Sequence, residues 1–126
     1  MGYCMNMRKC KIRIKCENKN SALNTLKQFT KGKQFAWVDS EVIQKCTNLE
    51  EALHEMRYEA ILDDCSNIIN LEFIGEKLGD DDKLFNCIAP FVEDGSYIEM
   101  FGEDGDVWRW VFTNNNCEWE YPEIKW

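Results

Sequence analysis

The sequence has few of the residues and spacings that catalytic and metal-binding motifs require. It contains one histidine, His54, and its seven cysteines form neither a CxxC pair nor a cluster with that histidine. A structural zinc site would need such closely spaced ligands. The spacings of a serine-hydrolase elbow, an EF-hand and a glycine-rich phosphate loop are also missing. We therefore predict that the protein is not an enzyme and that it uses no metal and no cofactor.

Long apolar runs are missing as well. No segment reaches the length of a membrane span, and residues 1–16 lack the apolar core of a signal peptide. The cysteines are odd in number and lie scattered through apolar segments, which is typical of buried thiols in a reducing compartment. We therefore expect a cytoplasmic location and no membrane partner.

Positive charge is in deficit, with 15 basic against 23 acidic residues and a formal net charge of −8. Negative charge opposes binding to DNA and RNA, because that binding depends on neutralising phosphates. It favours association with a basic protein through electrostatic steering, although many acidic proteins have no charged partner at all. We therefore predict a protein partner of basic character and no direct contact with nucleic acid.

The residues that are present suffice for one packed domain. The 126 residues are 44% hydrophobic and contain no repeat and no linker. We expect a flexible N terminus at residues 1–7, followed by a single α+β domain at residues 8–126.

Hydrophobic periodicity predicts the elements of the first two thirds of the chain. Residues 10–16 alternate between apolar and basic side chains, as a half-buried strand does. A helix capped at Asn20 or Ser21 follows and ends at Gly32. Residues 33–57 form a helical insert, which includes a capping box at residues 47–50. A hairpin over residues 57–63 and 68–74 pairs Tyr58 with Phe73, Ala60 with Leu71 and Leu62 with Ile69. A further helix begins after residues 79–82 and ends near Pro90.

The last third alternates most regularly and predicts strands at residues 96–101, 107–113 and 117–121. Asn114 and Asn115 suit a two-residue type I′ turn between the second and third of these strands, because Asn tolerates positive φ. The resulting register opposes Met100 to Trp108, Ile98 to Trp110, Trp110 to Trp119, and Arg109 to both Glu99 and Glu120. One face then carries the tryptophans and the other carries the charges.

The element order resembles the ferredoxin-like βαββαβ pattern. The helical insert follows the first helix, and two antiparallel strands are added at the C-terminal end. We expect the helices to cover one face of a single sheet. The expected strand order from edge to edge is 121–117, 113–107, 101–96, 16–9, 74–68 and 63–57.

The opposite face of this sheet is expected to be open to solvent, unless the insert or the C-terminal tail covers it. Its candidate protein-binding residues are Tyr97, Glu99, Phe101, Arg109, Glu118 and Glu120. Aromatic rings around a central arginine are typical of the energetic centre of protein interfaces.

The leading interpretation is a non-enzymatic module that docks this acidic, aromatic-bearing surface on a basic protein. An inhibitor of a nucleic-acid-handling enzyme, of the anti-defence or toxin-immunity type, would fit. One alternative is a small-ligand sensor with a pocket near Trp108 and Trp110. Another is an enzyme that uses carboxylates with a cysteine or His54, although turn and cap chemistry also accounts for the acidic clusters at residues 63–64, 80–82, 93–94 and 103–106.

Overall fold

A computed structural model describes residues 2–122, so residues 123–126 of the expected domain lie outside the described part of the chain. In this part the fold is α+β, with four α-helices and six strands in two antiparallel sheets. The strands are β1 (Met5–Lys11), β2 (Tyr58–Leu62), β3 (Ile68–Phe73), β4 (Tyr97–Gly102), β5 (Val107–Thr113) and β6 (Asn116–Glu120). The helices are α1 (Lys19–Thr30), α2 (Ser40–Lys45), α3 (Leu49–Glu55) and α4 (Asp81–Ile88).

The larger sheet has the order β1-β4-β5-β6, and the smaller one is the β2-β3 hairpin. One antiparallel bridge connects them, in which Ile14 and Ile68 exchange two backbone hydrogen bonds of 2.9 Å. The predicted pairings of β1 with β4, β4 with β5, β5 with β6 and β2 with β3 are confirmed. The expected ladder between the first strand and residues 74–68 is reduced to this bridge, so the structure has two sheets in place of the expected single one.

The C-terminal meander has the predicted register. Trp110 lies opposite Ile98 and Trp119, and Arg109 lies opposite Glu99 and Glu120. Asn114 and Asn115 both adopt positive φ, at 52° and 64°, as a type I′ turn requires. The alternation of the sequence thus places the tryptophan rings on one side of the strands and the charges on the other.

Helix α4 covers the tryptophan side of this sheet. The ring of Phe85 lies 5.9 Å from that of Trp110 and 6.0 Å from that of Phe112. Trp108 stacks on Trp119 at 5.2 Å with an interplanar angle of 16°. Trp108 and Trp110 are fully buried, and removing rings of this size from water stabilises the fold by a few kcal/mol each.

The first strand differs from the predicted one at residues 10–16. It runs from Met5 to Lys11, so residues 5–7 belong to the sheet rather than to the expected flexible N terminus. A bulge at Arg8 adds a residue, and the ladder to β4 ends at Lys11. Ile12 and Ile14 still enter the core beyond the ladder, which explains why the alternation was read as a strand there.

The predicted pairing of Leu62 with Ile69 is wrong. A register shift after Ile61 pairs Leu62 with Ile68 instead. Ile68 is buried, whereas Leu62 and Ile69 are 41% and 40% exposed. The backbone hydrogen bonds between Ile68 and Ile14 hold Ile68 at the junction of the two sheets, and the hairpin bulges to allow this.

The insert contains two short helices, α2 and α3, and an isolated bridge between Phe35 and Val38. The cap of α3 lies one residue later than predicted. Asn48 accepts a hydrogen bond from the Glu51 amide, and the Glu51 carboxylate accepts one from the Thr47 amide at 2.7 Å. The capping-box chemistry is therefore present, shifted by one position.

A buried ion pair fixes the start of α4 to the start of β2. Both Oδ atoms of Asp81 accept hydrogen bonds from Arg57, at 2.9 and 3.0 Å, and Oδ2 also accepts one from the Tyr58 hydroxyl at 2.8 Å. The Asp81 side chain is 1% exposed, and the Gly79 amide donates to it at 2.9 Å. These four bonds satisfy a carboxylate that burial alone would make very unfavourable.

Within residues 2–122, no helix combines the length and apolar character needed to cross a membrane.

A candidate binding surface on the open sheet face

All six predicted site residues lie on the face of the β1-β4-β5-β6 sheet that faces away from α4. Tyr97, Glu99 and Phe101 alternate along β4, Arg109 lies on β5, and β6 supplies the two remaining glutamates. Glu99 lies opposite Arg109, and Arg109 lies opposite Glu120. We call these six residues the docking surface: Tyr97, Glu99, Phe101, Arg109, Glu118 and Glu120.

Arg109 lies at the centre of the docking surface, and two neighbouring side chains fix its orientation. Arg109 Nε donates to Glu99 Oε1 at 2.8 Å, and the Arg109 guanidinium carbon lies 4.1 Å from the centre of the Tyr97 ring. The ring quadrupole attracts the cation, and the carboxylate fixes its orientation. Arg109 therefore presents its remaining donors to solvent in one conformation, with 43% of its side chain exposed.

Phe101 is the exposed aromatic ring of the surface. It is 40% exposed at the end of β4, next to Val107 on β5 and Asn6 on β1. It also lines a cavity of about 270 Å³ together with Cys4 and Gly102. An apolar ring in this position can enter a recess of a partner without first leaving a packed environment.

The β1 side of the face is basic, which the predicted site did not include. Lys9 and Lys11 lie opposite Glu99 and Tyr97, and Arg8 Nε lies 3.4 Å from the second oxygen of Glu99. With these residues the face carries four basic and three acidic side chains, whereas the six predicted residues alone carry three acids and one base. The face is instead divided, with positive charge along β1 and negative charge along β6.

The sequence itself shows this division of charge, because its basic residues are concentrated near the beginning of the chain. Residues 1–33 contain nine basic residues and one acid, Glu17, for a net charge of +8, and residues 34–126 contain six basic residues and 22 acids, for −16. Averaging over the chain conceals this asymmetry. Of the three basic residues of β1 that the predicted site omits, Arg8 and Lys9 precede residue 10, where the alternation begins.

The acidic clusters of the chain bind backbone amides in turns and loops, and one of them supplies Asp81 to the buried ion pair. Asp63 accepts from the amides of Cys65 and Asn67, and hydrogen bonds from the Asn67 side chain and these amides lower its pKa. A hydrogen bond from the Tyr3 hydroxyl lowers the pKa of Asp104 and raises that of Tyr3 to about 12. Among residues 2–122, no group of three or more histidine, cysteine or acidic side chains is placed to hold a metal ion.

His54 lies on the exposed side of α3 and shares a cavity of about 360 Å³ with Cys46, Glu51 and Glu55. The Cys46 thiol donates to the Val42 carbonyl at 3.2 Å, and desolvation raises its pKa. A protonated thiol that bonds to backbone is a poor nucleophile, so this geometry does not favour the Cys–His alternative.

One cavity lies away from Trp108 and Trp110, where a ligand pocket was expected. It has a volume of about 810 Å³ and is lined by the insert, including Phe35, Trp37, Asp39 and Glu41. Trp108 lines a cavity of about 320 Å³, but this one opens beside Arg109 and belongs to the docking surface.

Comparison with protein-family models, with curated proteins and with solved structures gave no match. The site is therefore interpreted from its own geometry.

Proposed function

We propose that the protein is a non-enzymatic protein-binding module that docks a partner on the open sheet face. The observation that carries the proposal is the arginine held at its centre, with Glu99 at 2.8 Å and the Tyr97 ring at 4.1 Å, beside the exposed ring of Phe101. Arginine and aromatic residues concentrate binding energy at interfaces, and a side chain that is already fixed loses less entropy on binding.

The partner we propose is a protein with a basic patch. The two glutamates of β6, Glu118 and Glu120, are exposed and would face that patch, and the net charge of −8 supplies a long-range attraction. Arg8, Lys9 and Lys11 would repel a partner that is basic over the whole contact. The basic patch must therefore lie over β6, with a neutral or acidic region over β1.

An enzyme that handles nucleic acid presents such a basic patch where phosphates bind. We therefore propose an inhibitor of the anti-defence or toxin-immunity type, which would cover that patch. A cytoplasmic location, expected from the cysteines, stays a prediction. We also propose that the two sheets form one ferredoxin-like sheet extended by β5 and β6, and the Ile14–Ile68 bridge supports this arrangement.

Affinity capture with the wild-type chain, followed by reconstitution with each purified captured protein, tests the proposal. The first variant combines Phe101→Ser with Glu118→Lys and Glu120→Lys on the docking surface. The matched control reverses two exposed glutamates elsewhere, Glu17→Lys and Glu41→Lys. Isothermal titration at low and high salt then measures each purified pair.

The proposal expects a basic partner whose affinity falls at high salt, is lost in the docking-surface variant and is kept in the control. It is overturned if every reconstituted partner binds both variants equally. An acidic partner that binds through Arg8 and Lys9 would also overturn it, because the charge complementarity would be reversed.

A small-ligand sensor is the second candidate, and the cavity of about 810 Å³ in the insert favours it. Trp37 lines this cavity and is 50% exposed, so a bound ligand would change its fluorescence. A metabolite panel should then shift the emission of the wild type and not that of Trp37→Phe. The absence of any shift would remove this candidate.

A further inference from the structure

Cys4 and Lys77 lie directly opposite each other in an isolated antiparallel bridge at the beginning of β1. Two backbone hydrogen bonds between the neighbouring residues, 2.8 and 3.0 Å long, flank the pair. The pair therefore occupies a position without its own backbone hydrogen bonds, where opposed side chains come closest together. The backbone itself thus fixes the thiol beside the amine.

The Lys77 ammonium donates to the Cys4 sulfur at 2.9 Å. This hydrogen bond raises the pKa of Lys77, and the charges of Glu76 and Glu103 add to the effect. The nitrogen and the sulfur therefore need no backbone movement to meet. Cys4 is only partly buried, and it lines the cavity of about 270 Å³ together with Phe101.

The other cysteines lack this combination. Burial raises the pKa values of Cys10 and Cys87 to about 11 and that of Cys117 to about 12, so these thiols stay protonated. Cys65 is exposed, but in the described part of the chain only Cys4 has a lysine ammonium at hydrogen-bond distance.

We propose that Cys4 and Lys77 form an oxidant-responsive modification site, which takes a hydroperoxide and closes to a covalent sulfur–nitrogen bond. The Cys4 thiolate attacks one oxygen of hydrogen peroxide, so that the S–O bond forms, the O–O bond breaks and hydroxide leaves. Sulfur is oxidised by two electrons to the sulfenic acid, and the peroxide is reduced. The leaving hydroxide takes a proton from the Lys77 ammonium and becomes the first water, which leaves a neutral amine. The amine nitrogen then attacks sulfur, the S–N bond forms, the S–O bond breaks, and the oxygen leaves as the second water with a proton from the amine. The chain loses two hydrogen atoms, and one peroxide becomes two waters.

Peptide mapping of the reduced full chain after exposure to hydrogen peroxide tests the site. Catalase removes excess peroxide, and an alkylating reagent caps the remaining thiols. The expected product is a linked Cys4–Lys77 peptide that lacks two hydrogen atoms relative to the sum of its parts. Trypsin should no longer cleave after Lys77, and dithiothreitol should restore both separate peptides.

Lys77→Arg is the matched variant, because it keeps the positive charge but has no nucleophilic amine. It should lose the linked peptide and leave a Cys4 sulfenic acid that dimedone traps. The proposal is overturned if wild-type Cys4 oxidises no faster than Cys65, or if it oxidises without linking to Lys77. The wild-type map alone decides between these results should the variant not fold.

Discussion

Two arginine–carboxylate pairs of almost equal length lie in different surroundings in this protein. Arg57 and Asp81 are 2.9 Å apart, with side chains 14% and 1% exposed, and Arg109 and Glu99 are 2.8 Å apart, with side chains 43% and 13% exposed. The first pair joins two elements of the core, whereas the second holds a side chain on the surface. The distance is therefore a poor guide to what an ion pair contributes, and the surrounding solvent decides it.

The largest expected effect is the difference in free energy of unfolding between two variants, each of which removes the carboxylate of one pair. Asp81→Ala leaves the Arg57 charge buried and the Tyr58 hydroxyl without its acceptor, so we expect a loss of about 3–5 kcal/mol in the free energy of unfolding. Glu99→Ala should cost no more than about 1 kcal/mol, because Arg109 stays solvated. Urea unfolding followed by circular dichroism measures both. Equal losses would contradict the comparison.

The second prediction concerns how the stability of the protein depends on alkaline pH through the buried site. Burial and the Asp81 charge raise the pKa of Tyr58 well above its usual range. Below about pH 10 the hydroxyl is protonated in both the folded and the unfolded chain and its titration has no effect. Above that pH the unfolded chain releases a proton that the folded chain keeps, so stability falls by up to about 1.4 kcal/mol per pH unit.

Tyr58→Phe is the control for this titration. It should reduce the slope of stability against pH in that range, while the buried cysteines, whose pKa values are also raised, contribute equally to both proteins. Urea unfolding at a series of alkaline pH values measures the slopes. Identical slopes for the two proteins would show that Tyr58 is not shielded from solvent.

The surface pair should affect binding geometry more than stability. Glu99→Gln keeps the shape of the side chain but removes the charge that holds Arg109 over Tyr97. We expect a change in free energy of unfolding below about 1 kcal/mol together with broader NMR signals of the Arg109 side chain. A rigid guanidinium in this variant would mean that Tyr97 alone positions it.

The smallest expected effect is that of salt concentration on the stability differences between wild type and variants. Screening weakens pairs of exposed charges more than buried ones. The stability difference between wild type and Glu99→Gln should therefore shrink as sodium chloride is raised, whereas the difference between wild type and Asp81→Asn should persist. Parallel urea titrations at low and high salt provide the measurement, and a shrinking difference for both variants would refute the assignment of Asp81 to the core.

The sequence allowed the C-terminal meander and all six residues of the docking surface to be placed. Strict alternation and the Asn114–Asn115 turn determine the register there, and both signals are local. The bulges at Arg8 and Ile69 were missed because they add a residue without breaking any local preference. The second of them adjoins Ile68, whose bridge to Ile14 is a contact that no local pattern predicts.

The buried pair was missed for a different reason. Asp81 was read as one of three aspartates at a helix start, where the helix dipole accounts for negative charge. Arg57 was read as the first residue of a strand, and 24 positions separate the two. No local pattern connects them, because only the packing of α4 against β2 brings them together.

The stacked rings of Trp108 and Trp119 connect the outermost strand of the larger sheet to its neighbour. Electronic transitions of two parallel indoles at this separation couple with each other and produce a paired optical band. Separation of the edge strand would abolish that band while the rest of the sheet stayed folded. The protein therefore carries a built-in spectroscopic reporter of fraying at this edge, readable without any label.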